Sequence, residues 1–263
     1  MRSSKKIDIG VIGGTGLETL LRDAEQIRVG TPYGLSPSIS VGEMNGKSVA
    51  FLPRHGAHHS VPPHMVNYRA NVYALHKIGV EQIVATNAVG AINPDFKPGD
   101  LVVPHDFVDF TKVRPITFYD TSPVTHVDLS QPYCPTLRSI LINHGKKHGK
   151  LLEQAVLVCT EGPRYETPAE IRMFRQLGCD IVGMTGAPEA VLARELEMCY
   201  ATMCFVTNMA AGMQERLTAG ELTEVASKVV PVLEQILRET IRNVPQERHC
   251  PCVQALRDAR LRG

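Results

Sequence analysis

Six short segments each follow an apolar run with a residue able to bind an anion or to read a flat ring. In "PRHG" (Pro53–Gly56), Arg54 carries a planar fork that matches a phosphate, and His55 beside it is able to donate a second bond. "GGTG" (Gly13–Gly16) lies between a strand and a helical turn. Free backbone N–H groups and the Thr15 hydroxyl suit an anion there, and a tight structural turn explains the segment equally well. It lacks the third glycine of a dinucleotide loop and the Lys-Ser/Thr of a Walker loop. "ATNAVGAIN" (Ala85–Asn93) carries Asn87 among residues small enough for a ligand to approach the backbone. "GMTGAPEA" (Gly183–Ala190) sets Thr185 before a helix start. "TEGPRYETPAE" (Thr160–Glu170) places Tyr165, a ring able to cover a flat heterocycle, beside Glu166, which accepts N–H bonds or simply sits near a helix dipole. "FVTNMAAGM" (Phe205–Met213) ends on Asn208, a carboxamide that either caps a turn or reads a ligand.

The elements around these segments alternate between strand and helix. Ile7–Ile12 reads as a strand with a helical turn at Leu17–Leu21 behind it. Ser38–Met44 and Ser48–Leu52 flank Asn45-Gly46, a strong hairpin signal. Val66–Ile78 reads as a helix, Gln82–Ala88 as a strand and the following stretch to Asp100 as a loop. Pro104–Pro132 shows no period. Thr136–His148 is a helix, Ala155–Thr160 a strand, and Thr167-Pro168 caps and opens a helix over Ala169–Leu177. Asp180–Met184 is a strand, Pro188 starts a helix, Ala201–Val206 is a strand, and Glu221–Arg242 is a long amphipathic helix. The expected class is α/β with a largely parallel or mixed sheet, in a single domain over 1–263. Strand ends converge on one crevice in such folds, which would gather Thr15, Arg54, Asn87, Glu166, Thr185 and Asn208.

Composition narrows the functional class. Apolar residues make up 43% and charged residues 21%, with a net charge of +1, so nucleic acid and anionic membranes are not the expected partners. No signal peptide or membrane span is evident, so a cytoplasmic location is expected. His58, His59 and His64 crowd one loop without the spacing of a metalloprotease helix, and there is no G-x-S-x-G nucleophile. Seven cysteines read as free thiols, with a disulfide at Cys250–Cys252 as the alternative. A zinc site would need a second cysteine cluster, and none stands out in the sequence, so no metal is expected.

Taken together, "VIGGTG", "PRHG", "VNYRAN", "TNAVGAINPDFKPGD", "RPITFYD", "TEGPRYETPAE", "GMTGAPEA" and "CFVTNMAAG" resemble the purine nucleoside phosphorylase / 5′-methylthioadenosine phosphorylase family, in family order from about Ile7 to Gln235. The resemblance implies cleavage of purine nucleosides by inorganic phosphate as co-substrate, with no cofactor. It also implies a mixed barrel-like sheet flanked by helices, and a homotrimer or dimer of trimers. Thr15, Arg54, His55, Asn87, Ala88 and Thr185 would hold phosphate. Met184 would pack under the ribose, Tyr165 would cover the purine, and Glu166, Asn208, Met209 and Ala210 would surround it. Asn208 would act on the departing base, and His126 would reach a neighbouring subunit's 5′ pocket.

The hydrogen-bond inventory then bears on the base. Adenine-cleaving relatives carry Asp-x-Asp where this chain has Asn208-Met209-Ala210. A 6-oxopurine offers an N1–H donor and an O6 acceptor, which Glu166 and Asn208 match; adenine reverses both. Each mispaired buried group costs about 1–3 kcal/mol. The expected reaction is phosphorolysis of inosine, guanosine or S-methyl-5′-thioinosine. Leu222 leans the 5′ pocket towards methylthio. A 5′-methylthioadenosine phosphorylase, a water-using nucleosidase and a non-catalytic nucleoside binder are the alternatives.

Overall fold

The computed structural model describes residues 6–14, 17, 20, 21 and 24–260. The helical turn expected at Leu17–Leu21 falls partly outside them, as does Thr15. Among the described residues the strands run in chain order as β1 (Ile9–Gly13), β2 (Glu25–Ile27), β3 (Gly30–Thr31), β4 (Gly34–Leu35), β5 (Ile39–Met44), β6 (Lys47–Pro53), β7 (Gln82–Ala91), β8 (Leu101–Val102), β9 (Asp106–Phe110), β10 (Leu151–Leu152), β11 (Val156–Thr160), β12 (Ile181–Gly183) and β13 (Cys199–Met209). Interleaved with them are the α-helices α1 (Tyr68–Lys77), α2 (Pro135–Gly145), α3 (Pro168–Gln176), α4 (Gly186–Glu195) and α5 (Ala219–Asn243). Among the described residues no helix is long and apolar enough to cross a membrane.

All strands but the β3–β4 pair share one mixed sheet. Strands β6, β1, β7 and β13 lie side by side and parallel. Their side chains alternate between two helical layers, as a period of two requires. Ile9, Val11, Val49 and Phe51 face α2 and α5, whereas Ile12, Ala50 and Leu52 face α1 and α4. The hairpin forms as the sequence indicates: Asn45 and Gly46 both have positive φ, at 51° and 77°, as the tight turn between twisted strands demands.

Strand β7 belongs to two structures at once. Its first half pairs with β1 and its last residues pair antiparallel with β12. From β12 the ladder continues to β11 and β9. The β8–β10 ladder prolongs the β9–β11 ladder, with Val103 and His105 N–H groups bridging to Leu152 and Ala155 carbonyls. Because β8 also pairs with β13, the strands close into a barrel. Its interior holds Val89, Ala91, Phe96, Val102, Leu157, Ile181, Cys204 and Val206.

Two expectations are corrected here. Strand β7 does not stop at Ala88 but runs on to Ala91, because β12 and β13 take its backbone groups on both sides. Within the segment read as aperiodic, Asp106–Phe110 is a strand, sustained by β11 rather than by any pattern of its own. Helix α3 matches its Thr167-Pro168 signal, whereas α1 starts at Tyr68, two residues later than expected. Asn67 caps α1, and Thr167 and Glu170 form a reciprocal capping box at α3. Helix α4 begins at Gly186, two residues earlier than Pro188 suggested, with Thr185 as its N-cap residue.

Candidate active site

A cavity of about 450 Å³ opens where the C-terminal ends of β1, β6, β7, β12 and β13 converge. Arg54, His55, Asn87, Ala88, Tyr165, Glu166, Met184, Thr185, Asn208, Ala210 and Leu222 all line it, drawn from segments far apart in the chain. Gly14 lines it as well.

At one end sits a set of donors. Arg54 is 3% exposed, and its position is fixed by a carboxylate absent from the sequence-level set. Its Nε and Nη2 donate to Glu189 at 2.5 and 3.0 Å, while Nη1 donates to the Thr86 carbonyl at 2.9 Å. Tyr200 donates its hydroxyl to the same Glu189 at 2.8 Å. The bidentate face of Arg54 therefore meets a buried carboxylate, and an anion would meet the N–H groups that remain. Burial works against the guanidinium charge, and Glu189 more than compensates, so Arg54 stays firmly protonated. A charged residue inside a run of small apolar ones, as in Ala187-Pro188-Glu189-Ala190, is the signal that could have identified Glu189, since a carboxylate buried there requires a cation.

His55 differs from its sequence reading. Its Nδ1 lies 2.8 Å from the Val61 carbonyl, which only accepts, so the ring proton sits on Nδ1. Burial, together with the Arg54 charge, lowers its pKa to about 4. The neutral ring thus turns a lone pair, not a proton, to any partner at Nε2. Asn87 and Thr185 form a chain: Thr185 donates to Asn87 Oδ1 at 2.6 Å, and Asn87 Nδ2 donates to the Thr202 hydroxyl at 2.7 Å. Thr185 makes no capping bond to α4, and its side chain lines the cavity instead. Ala88 is exposed into the cavity, the one such residue in β7.

At the other end, Glu166 is 9% exposed and accepts from the Thr160 hydroxyl at 2.6 Å. Desolvation raises its pKa, with the Thr160 bond opposing the shift. Asn208 keeps half of its amide capacity: its Oδ1 accepts from Thr207 at 2.7 Å and its Nδ2 donates to the Met209 carbonyl at 2.9 Å. One N–H and one lone pair remain. Gly90 makes room for this side chain, because a Cβ there would stand 3.1 Å from Asn208 Nδ2. Met209 does not reach the cavity. It follows Asn208 on a strand, so its side chain turns to the opposite face and packs against the barrel interior.

Phe205, Leu217, Leu222 and Ala226 give one wall of the cavity an apolar character. The start of α5 supplies Leu222 and Ala226. Gln214 ties that start to β13 by accepting from the Met209 N–H at 2.8 Å and donating to Glu221 at 2.9 Å. Arg114, from the quoted "RPITFYD" segment, is a second residue whose role the sequence left open. It is 8% exposed and donates to the carbonyls of Thr160, Glu161 and Met184, to the Tyr68 hydroxyl and to the Glu161 carboxylate. It clamps the ends of β11 and β12 together beneath Tyr165 and Met184. His126 lies away from this cavity: it is exposed, and its N–H bonds the Ala259 carbonyl at 2.8 Å.

The same arrangement of strands and segments occurs in known proteins. The family model described as "Phosphorylase superfamily" matches residues 8–242. A protein of Methanothermobacter thermautotrophicus, described as a probable S-methyl-5′-thioinosine phosphorylase, is 52% identical over 255 residues, covering 95% of this chain and 89% of the relative. A probable 6-oxopurine nucleoside phosphorylase of Korarchaeum cryptofilum is 49% identical over 265 residues, covering 95% of this chain and 98% of the relative. Among solved structures, a methylthioadenosine phosphorylase from an antarctic soil metagenomic library superposes with a TM-score of 0.92 at 37% identity, covering 97% of this chain and 93% of that one.

Proposed function

The chain belongs to the phosphorylase superfamily and is a nucleoside phosphorylase, and we propose that it phosphorolyses 6-oxopurine nucleosides to the free base and a pentose 1-phosphate. The observation that carries the base preference is the pairing of Glu166 with Asn208 in one cavity, with Ala210 where a second carboxylate would serve adenine. Glu166 accepts from N1–H, and Asn208 donates its remaining N–H to O6 and accepts from N7–H. The apolar wall of Phe205, Leu217, Leu222 and Ala226 favours a 5′-methylthio group over a hydroxyl, so S-methyl-5′-thioinosine is the preferred substrate within this class.

In the reaction, a phosphate oxygen forms a bond to C1′ as the bond from C1′ to the base nitrogen breaks. The electron pair of that bond leaves with the purine. Arg54 and Thr185 hold the phosphate; Thr15, to which the family resemblance gives the same part, lies outside the described residues. The Nε2 lone pair of neutral His55 accepts a hydrogen bond from a protonated phosphate oxygen. Asn208 stabilises the base as it becomes electron-rich. These are preorganised donors and acceptors, and no covalent intermediate with the protein is needed. The working unit is a homotrimer, or a pair of trimers, in which His126 meets the 5′ end of a neighbour's substrate.

The deciding assay compares inosine, adenosine and their two 5′-methylthio analogues, each with and without phosphate. The 6-oxopurines are cleaved only with phosphate, and the 5′-methylthio form has the higher kcat/KM. Equal turnover of the 6-oxo and 6-amino substrates would exclude the base assignment, and cleavage without phosphate would indicate a nucleosidase. In Asn208→Asp, the ratio of 6-amino to 6-oxo turnover rises.

A further inference from the structure

Away from the cavity, the structure assembles a cluster that the sequence showed only in half. Cys250 and Cys252 flank Pro251 at the start of the last 3-10 turn (Pro251–Gln254). Cys134 is the N-cap residue of α2, and Cys199 is the first residue of β13. The fold brings all four together, buried, with every Sγ within 4.8 Å of every other. We propose that these four cysteines hold a structural zinc ion.

Three observations favour a shared centre. First, zinc–thiolate bonds of about 2.3 Å in a tetrahedron set sulfurs about 3.8 Å apart, and a common ion requires all six pairs to be close. Two disulfides would require only two close pairs. Second, Cys199 and Cys250 meet Sγ to Sγ at 3.2 Å, a thiol contact rather than a bond. Third, Cys134 occupies the cap position of an 11-residue helix without making a capping bond, so its sulfur is left for the cluster at the end of the helix that favours a thiolate. On binding, four thiols release four protons to solvent and four thiolates close the coordination sphere. No position is left for water or substrate, so the ion has no catalytic part. It ties the chain after α5 to the base of β13. Beyond the cluster, Ala259 accepts from the His126 N–H and Arg260 bridges to Thr125. The ion thereby anchors the strip of chain that backs the His126 segment.

The test uses the whole chain, kept under reductant and purified without chelator. Elemental analysis gives one zinc per chain. Reconstitution with Co²⁺ alone gives thiolate-to-cobalt charge transfer and the visible bands of a tetrahedral site. Both signals disappear in Cys252→Ser and persist in Cys159→Ser, whose thiol lies outside the cluster. A chelator lowers the melting temperature of the unaltered chain, which keeps the proposal open to test should Cys252→Ser fail to fold. Recovery of the four sulfurs as two disulfides under reductant overturns it, and so does a folded, reduced chain that binds neither ion.

Discussion

A buried carboxylate defines how the base end of the cavity responds to pH. Desolvation raises the pKa of Glu166 above its ordinary value of 4.5. Ionised, it is the stronger acceptor for N1–H and carries no competing O–H, so kcat/KM for a 6-oxopurine nucleoside falls as pH drops through that raised value. In Glu166→Gln this acid limb disappears, because the amide oxygen accepts at every pH; an unchanged limb would refute the role. The sign for stability is opposite. A raised pKa means that the folded state resists ionising the group, so Glu166→Gln raises the melting temperature at neutral pH, and the gain vanishes in acid below 4.5. At this scale the sequence was informative wherever a residue lines the cavity, as with Arg54, Glu166 and Asn208. It was silent on the residues that hold those in place. Glu189, Thr202 and Arg114 are chosen by neighbours more than 40 residues away in the chain, and no local pattern reports such a choice. Met209 fell on the wrong side because naming a segment ignores the two-residue alternation of a strand.

Helix α3 follows closely on Tyr165 and Glu166, two residues of the cavity lining. Its first turn is held by the Thr167–Glu170 capping box, and Arg164 grips the Glu170 carboxylate at 2.8 Å. Removing the cap hydroxyl in Thr167→Ala costs about 1 kcal/mol of stability. Because Tyr165 and Glu166 lead into this turn, KM for the nucleoside rises more than kcat falls, as steady-state kinetics beside thermal unfolding would show. Caps, the Asn45-Gly46 turn and the long amphipathic α5 were all legible, since each rests on chemistry within a few residues. Strand β9 was not, because its pattern of exposed and half-buried residues carries no period and only pairing with β11 makes it a strand. The end of β7 was misread for a related reason: its small residues look like a loop until two partners cover them.

Across the whole molecule, the cavity depends on a closed barrel joined to an open sheet through β7, while the segment around His126 lies exposed elsewhere on the surface. His126 stands on that segment, apart from the cavity of its own chain. If sites are completed by a neighbour, Asn208→Ala and His126→Ala chains, each impaired alone, regain activity when dissociated and reassembled together. With random mixing about a quarter of the sites carry both native residues; no recovery on mixing would place each site within one chain. The shared strand has one more consequence, in time rather than space. The Asn87 of β7 bonds a β13 residue 115 positions later. At about 10 residues per second of synthesis, the β13 side of β7 waits on the order of 10 s for its parallel partner. During that interval an apolar strand edge is open to other chains. Substitutions that loosen the early β1–β6–β7 unit will therefore appear as lost yield of folded protein well before they alter the turnover of the molecules that do mature.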